Sequence, residues 1–312
     1  MAVGLAAAGV LGIARESVVG TYVAPEKYVP FLSESLEVQQ SNIYRRPIRG
    51  LVDPVGAVAG PQHPAGSLTF EVTHDTLPYF LYGMRGAVVK TGTTPNWIYT
   101  FTPSAIGTPT TTLSLTLVRN AIVFGYLGMT VGTFQLTMQN GIMVCTIGFV
   151  GLEEATQASP TATWPTTAPV GIPGDMKVEI PTATQVYDTD QFTFDTNDNA
   201  EPQFRLRDDQ RWPSFVKWGE RETTLSLERD FEARTEFDAF LAATSQAITI
   251  AAYTDANLSV TVSMPSLIKN SYAIGLTGQG DLVRSSVEYQ GIYDATAAAA
   301  YTIVAESTEV IA

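Results

Sequence analysis

Apolar and polar residues alternate with a period of two along short stretches of this chain, the pattern of half-buried strands. Residues 67–73 put Leu68, Phe70 and Val72 on one face. Residues 97–101, 113–117, 134–138 and 142–150 read the same way, as does the later part of residues 28–38. Asn140-Gly141 between two of these runs is a strong hairpin signal. In the second half strands are predicted at 247–253, 258–264, 272–280 and 283–293, with a short one at 301–305. Helical spacing is confined to two places. Asp75 or Thr76 can cap a helix over residues 77–84, with Pro78 in its first turn and Phe80, Leu81 and Met84 toward a sheet. A second helix near 232–243 is expected to bury Phe237, Phe240 and Leu241. Residues 40–66, rich in proline and glycine, read as a long loop, and long loops in compact domains usually have a job.

The order of these elements repeats. Residues 66–72 form a strand followed by Asp75 and a short apolar helix; residues 222–228 are followed by Asp230 and another. The two stretches end alike, in Ile147-Gly148-Phe149-Val150-Gly151 and Val287-Glu288-Tyr289-Gln290-Gly291. The first is longer, which fits an insertion at 86–112. The fold expected is mainly β: two tandem β-sandwich domains, each flanked by one short α-helix. An N-terminal arm takes residues 1–27, the first domain 28–160, a Thr/Pro/Ala-rich linker 161–175, the second domain 176–295 and a tail 296–312.

Composition narrows the class. With 312 residues, 45% apolar and 16% charged, the chain can build packed cores and is not of a disordered type. The net charge of −13 is uneven: residues 157–312 carry 10 basic and 22 acidic side chains. Such a surface repels nucleic acid and argues against DNA-gripping while allowing DNA to move past. Cys145 is the one cysteine, so no intramolecular disulfide forms, and its apolar setting reads as a small buried hydrophobe. The apolar start, residues 1–12, lacks the positive region of an export signal, and no apolar run reaches the ~20 residues of a membrane helix.

Catalytic, metal and cofactor chemistry finds no support. His63 and His74 have no Cys or His partners at metal spacing, and there is no Gly-x-Ser-x-Gly elbow or phosphate-cradling loop. Glu153/Glu154 and Asp208/Asp209 are adjacent pairs, which on a strand point to opposite faces. Asp195-Thr196-Asn197-Asp198-Asn199 starts like a calcium loop but has Ala200 where glycine is needed and Leu206 where glutamate is needed; an Asx turn is the simpler reading. The stretch 201–238 mixes both charges densely. It is either a solvated face or a polar subunit interface, the latter carried by Arg205, Arg207, Asp208, Asp209 and Arg211.

Residues 12–25, Gly12-Ile13-Ala14-Arg15-Glu16-Ser17-Val18-Val19-Gly20-Thr21-Tyr22-Val23-Ala24-Pro25, resemble the opening of siphophage tail tube proteins. Residues 28–36 continue the resemblance, as do the passage 50–72 and the hairpin 131–151, which ends in Phe149-Val150-Gly151. The resemblance implies a structural virion protein of a long non-contractile tail. Strands of neighbouring subunits would join edge to edge into a ring-shaped β-barrel, and rings would stack into a tube assembled in the bacterial host cytoplasm. It also implies terminator, tail-tip and tape-measure proteins as partners, DNA passing without specific binding, and no membrane. A duplicated chain suits a trimeric ring of pseudo-sixfold shape; a hexamer with one copy decorating the outside is the alternative. Arg45, Arg46 and Arg49 are expected to meet acidic groups of the neighbouring ring. A decoration or fibre-like virion subunit and a carbohydrate-binding β-sandwich are the competing functions.

Overall fold

The computed structural model describes residues 9–104, 111–120, 122–139, 141–165, 170, 173–181, 183–206, 210–231, 233–255, 258–276 and 281–311. The chain is mainly β. Its first half holds β1 (Val10–Arg15), β2 (Lys27–Tyr28), β3 (Ser33–Glu34), β4 (Glu37–Arg45), β5 (Gly56–Glu71), α1 (Leu77–Tyr82), β6 (Gly86–Thr93), β7 (Asn96–Pro103), β8 (Leu113–Arg119), β9 (Ile122–Gln139), β10 (Ile142–Val150) and β11 (Glu153–Thr156). The second half holds β12 (Met176–Glu179), β13 (Gln185–Val186), β14 (Thr189–Asn197), β15 (Glu201–Gln203), β16 (Phe215–Lys217), β17 (Glu222–Asp230), α2 (Thr235–Leu241), β18 (Gln246–Asp255), β19 (Leu258–Gly275), β20 (Arg284–Gly291) and β21 (Thr302–Ser307).

Two 18-residue strands, β9 and β19, organise the topology by changing partners halfway. The first part of β9 lies between β8 and β11, with β1 and β2 beyond β8. Its second part lies between β10 and β14. The first part of β19 lies between β18 and β21, with β12 and β13 beyond β18 and the β6–β7 hairpin beyond β21. Its second part pairs with β20. One antiparallel ladder therefore runs β4-β5-β10-β9-β14-β17-β20-β19, with β3 extending β4 along β5. It is open at both ends, and no closed barrel forms among the described residues.

Alternation explains the core. Leu68 and Phe70, Cys145 and Ile147, Phe134 and Leu136, Phe192 and Phe194, Leu225 and Leu227, and Val287 and Tyr289 all point to one side of this ladder and are buried. Each such burial contributes roughly 1.5–3 kcal/mol. The turn between β9 and β10 has Gly141 at φ +79°, as the Asn-Gly signal requires, with Asn140 outside the described residues. Cys145 is fully buried, and burial pushes its thiol well above the usual range.

The bend in β9 falls at Gly128, where φ is +62° and a Cβ would lie 2.7 Å from the Leu152 side chain. Glu16 holds this bend. Its buried carboxylate accepts from the Gly128 N–H (2.9 Å), the Gly20 N–H (2.8 Å), Ser114 Oγ (2.8 Å) and Thr112 Oγ1. A residue in the N-terminal phrase thus ties β1, β8 and β9 together.

Several elements differ from the sequence reading. Residues 40–66 are not a loop: β4 and β5 form a long exposed hairpin. The strands expected at 258–264 and 272–280 run together as β19, which ends at Gly275, because Pro265 falls at a bulge opposite β18, where its missing N–H interrupts no ladder bond; residues 277–280 lie outside the described residues. The segment 86–112 contains β6 and β7, which join β21 from the far end of the chain. Helix α1 buries Phe80 and Leu81, with Met84 just beyond it, as expected. In α2, Phe237 and Phe240 are only half-buried against Tyr272, with ring centroids 5.9 and 6.3 Å away, and Leu241 is 65% exposed.

A part-buried ionic knot around buried Asp198 ties the two halves. Arg221 donates from Nε to Asp198 Oδ1 (2.7 Å) and from its Nη atoms to the carbonyls of Ser104 (3.2 Å) and Arg85 (2.8 Å). Arg85 donates to the Gly219 carbonyl (2.9 Å). Burial raises the Asp198 pKa against the lowering effect of Arg221 and Arg85.

Glu16→Ala leaves four donors, three of them buried, without their acceptor. It is expected to cost about 2–4 kcal/mol, read as a lower denaturation midpoint in urea, while Glu16→Gln, which keeps one acceptor oxygen, loses less.

Candidate functional site

The side of the eight-stranded ladder turned away from the core is mostly polar, with Val144 and Ile268 as its apolar members on these rungs. One rung reads Thr69, Thr146, Gln135, Asp195, Thr224 and Gln290, each directly opposite the next. The neighbouring rung reads Glu71, Val144, Thr137, Thr193, Ser226, Glu288 and Ser271. Side chains bond along these rungs: Thr69 to Thr146 (3.2 Å), Thr137 to Thr193 (3.1 Å), Gln135 Nε2 to Asp195 Oδ2 (3.1 Å) and Ser271 Oγ to Glu288 Oε2 (3.4 Å). Glu222 and Glu228 share the face through β17. Neither rung contains a lysine or arginine; Arg284 stands at the end of the ladder, paired with Asp190 at 2.5 Å. The surface is thus hydroxyl and amide groups with interspersed carboxylates. Burial raises the Asp195 pKa, partly offset by the bond from Gln135.

The second feature is the pair of open edges, β4 at one end and the last part of β19 at the other. Ile274, on the core side of β19, is 44% exposed, although Leu136 in the corresponding place on β9 is buried under the β9–β14 pairing. An edge strand with unpaired N–H and C=O groups and an exposed aliphatic side chain is a site for another strand.

The third feature is the tip of the β4–β5 hairpin. It carries Arg45, Arg46 and Arg49, all exposed, among exposed Ile43, Tyr44, Ile48, Leu51 and Val52. The shorter β15–β16 hairpin leans back on its stem: the Gln62 N–H donates to the Arg211 carbonyl (3.0 Å), and the Phe204 ring meets His63 at 6.1 Å. Arg205 lies over the Phe215 ring of the same hairpin at 5.0 Å. Arg207, Asp208 and Asp209 lie outside the described residues. The sequence grouped Arg205 and Arg211 by charge; in the structure Arg205 packs within its own hairpin, and Arg211 meets the first hairpin through its backbone carbonyl.

The remaining chemical candidates have structural partners. His74 is buried with Nε2 3.1 Å from Asp75 Oδ1. The start of the calcium-like stretch is the end of β14, with an Asx turn from the Asn199 N–H to Asn197 Oδ1 (2.8 Å), and Asp198 is taken by Arg221. Among the described residues no three His, Cys, Asp or Glu side chains gather as a metal site, and no helix is long and apolar enough to cross a membrane. Sequence reasoning missed the polar face because neither the order of the ladder nor the β9–β14 pairing is written in local spacing.

Comparison with family models matches residues 6–291 to the family described as phage tail tube protein. Comparison with curated proteins gives no match.

The raised pKa of Asp195 has a testable sign. A carboxyl whose folded pKa exceeds its unfolded value, near 3.9, stabilises fully below that value and loses the contribution as pH rises through the folded pKa. Asp195→Asn is therefore expected to raise the melting temperature at pH 7, with the gain shrinking toward pH 4; thermal melts across that range check it.

Proposed function

The chain belongs to the phage tail tube family, and we propose that three copies close into a ring, that rings stack into the tail tube, and that the tube conducts the genome into the host. As a tail tube protein it is a structural component of the virion tail, not of an enzyme family. The ladder that holds strands of both halves side by side carries the rest of the reading. Reading the chain as a tandem duplication, β4-β5-β10-β9 and β14-β17-β20-β19 are two four-stranded repeats placed edge to edge. With both repeats in one wall, neither is left to decorate the outside, which favours the trimer over the hexamer. Three chains would supply about 24 strands. At ~4.8 Å per strand the backbone circle is roughly 37 Å across before strand tilt widens it.

In this reading the polar face lines the lumen. DNA carries one negative charge per roughly 1.7 Å of axis, so a lining of hydroxyls, amides and the carboxylates Glu71, Asp195, Glu222, Glu228 and Glu288 gives it little to grip. The acidic second half supplies most of that lining. The β4–β5 hairpin projects Arg45, Arg46 and Arg49 toward acidic groups of the next ring, with the apolar tip residues buried on contact. Terminator, tail-tip and tape-measure proteins would meet the ends and bore of such a tube.

Electron microscopy of the purified protein, with end-on class averages and mass per ring, tests the assembly. Hollow tubes with six similar lobes and three chains per ring are the expected result; six chains per ring would keep the tube and overturn the trimer. Reversing all three charges, Arg45→Glu with Arg46→Glu and Arg49→Glu, is expected to abolish tube growth while leaving circular dichroism unchanged. Normal tubes from that variant would remove the arginines from the joint.

A further inference from the structure

The chain contains a strand junction whose two halves recur, unpaired, at the ends of its ladder. The ladder sets the correspondence residue by residue. Ile147 of β10 faces Leu68 on one side and Phe134 on the other; Val287 of β20 faces Leu227 and Tyr272. Both long strands carry a one-residue bulge just before that point, at Gly132 and Asn270. Phe134 and Leu136 thus correspond to Tyr272 and Ile274. On the other edge Leu68 faces Glu34 and Leu227 faces Phe192, so Phe194 and Thr196 correspond to Leu36 and Val38.

At the internal junction Leu136 faces Phe194 and Phe134 faces Thr196, and all four are buried. At the ends, Ile274 is exposed and Tyr272 and Val38 are only half-buried. Edge, face and strand direction all match those of the internal pair.

We propose that β19 of one copy pairs with the β3–β4 segment of a second copy in the register of the internal junction. Residues 271–275 run antiparallel to residues 39–35 of the neighbour, with Tyr272 opposite Val38, Ala273 opposite Glu37 and Ile274 opposite Leu36. The proposal rests on the ring reading above and adds the register of its seam. In the free chain the Leu36 N–H donates to Glu34 Oε2 (3.0 Å), and its carbonyl accepts from Tyr126 Oη (3.1 Å) and from Arg119, itself bidentate to Glu34. The seam exchanges the Glu34 bond for a ladder bond, and the carbonyl's second lone pair keeps an internal donor.

The test is disulfide trapping in the full chain carrying Glu37→Cys and Ala273→Cys. Both positions are exposed, and within one chain they are seven strand steps apart, roughly 33 Å, far beyond disulfide reach. Mild oxidation of the assembled protein should link neighbouring chains into a ladder on a non-reducing gel that ends at the ring number. A mixture of the two single variants should stop at dimers. Glu37→Cys with Ser271→Cys, or with Gly275→Cys, tests registers two residues away, where the diagonal spacing of about 7–8 Å disfavours the bond. Preferential linkage in either offset pair overturns the register. Tubes in micrographs without linkage in any pair overturn the seam and leave the tube reading standing; absence of both tubes and linkage overturns both.

Discussion

Every strand at the edge of a sheet leaves a row of backbone donors and acceptors that must find partners or water. In this chain the β9–β14 pairing meets that requirement at the middle of the main ladder. It joins strands from the two halves, brings Phe134 and Phe194 into an edge-to-face contact 6.5 Å apart, and makes eight strands one wall. Without it the core side of β9 at Leu136 would be open to water, as that of β19 is at Ile274. The Arg221–Asp198 knot and the β7–β21 pairing both act where this junction has already brought the halves together.

The same alternation that builds the core also makes the polar face. A period of two sends Leu, Phe and Val to one side and Ser, Thr, Gln and carboxylates to the other, so the two surfaces are fixed together. A one-residue slip at the junction would exchange them. Side-chain bonds across it, Gln135 to Asp195 and Thr137 to Thr193, add to the backbone ladder.

Much of the fold was legible because its signals are local. The buried faces of β5 and β10, the hairpin at Gly141, helix α1 and the inert Cys145 follow from spacing and residue type. The β4–β5 hairpin was not, because its strands are exposed on both faces and so lack alternation, while its prolines and glycines mimic a loop. Nor was the pairing of β7 with β21, whose partners are separated by most of the chain. In the ladder Leu227 is opposite Val287 as Leu68 is opposite Ile147, a correspondence that comes from strand pairing and not from local spacing. The polar wall was foreseen only as a surplus of negative charge in the second half; its members became visible with the strand order.

The β4–β5 and β15–β16 hairpins are unequal: the first reaches out and the second folds back on it. In a ring of three chains the wall repeats about every 60° while the outstretched tips repeat about every 120°. A ring laid on its neighbour one wall-repeat out of step would match the bore and miss the joints. In such a ring the folded-back hairpin would turn a sixfold cylinder into a keyed coupling that transmits twist from one ring to the next.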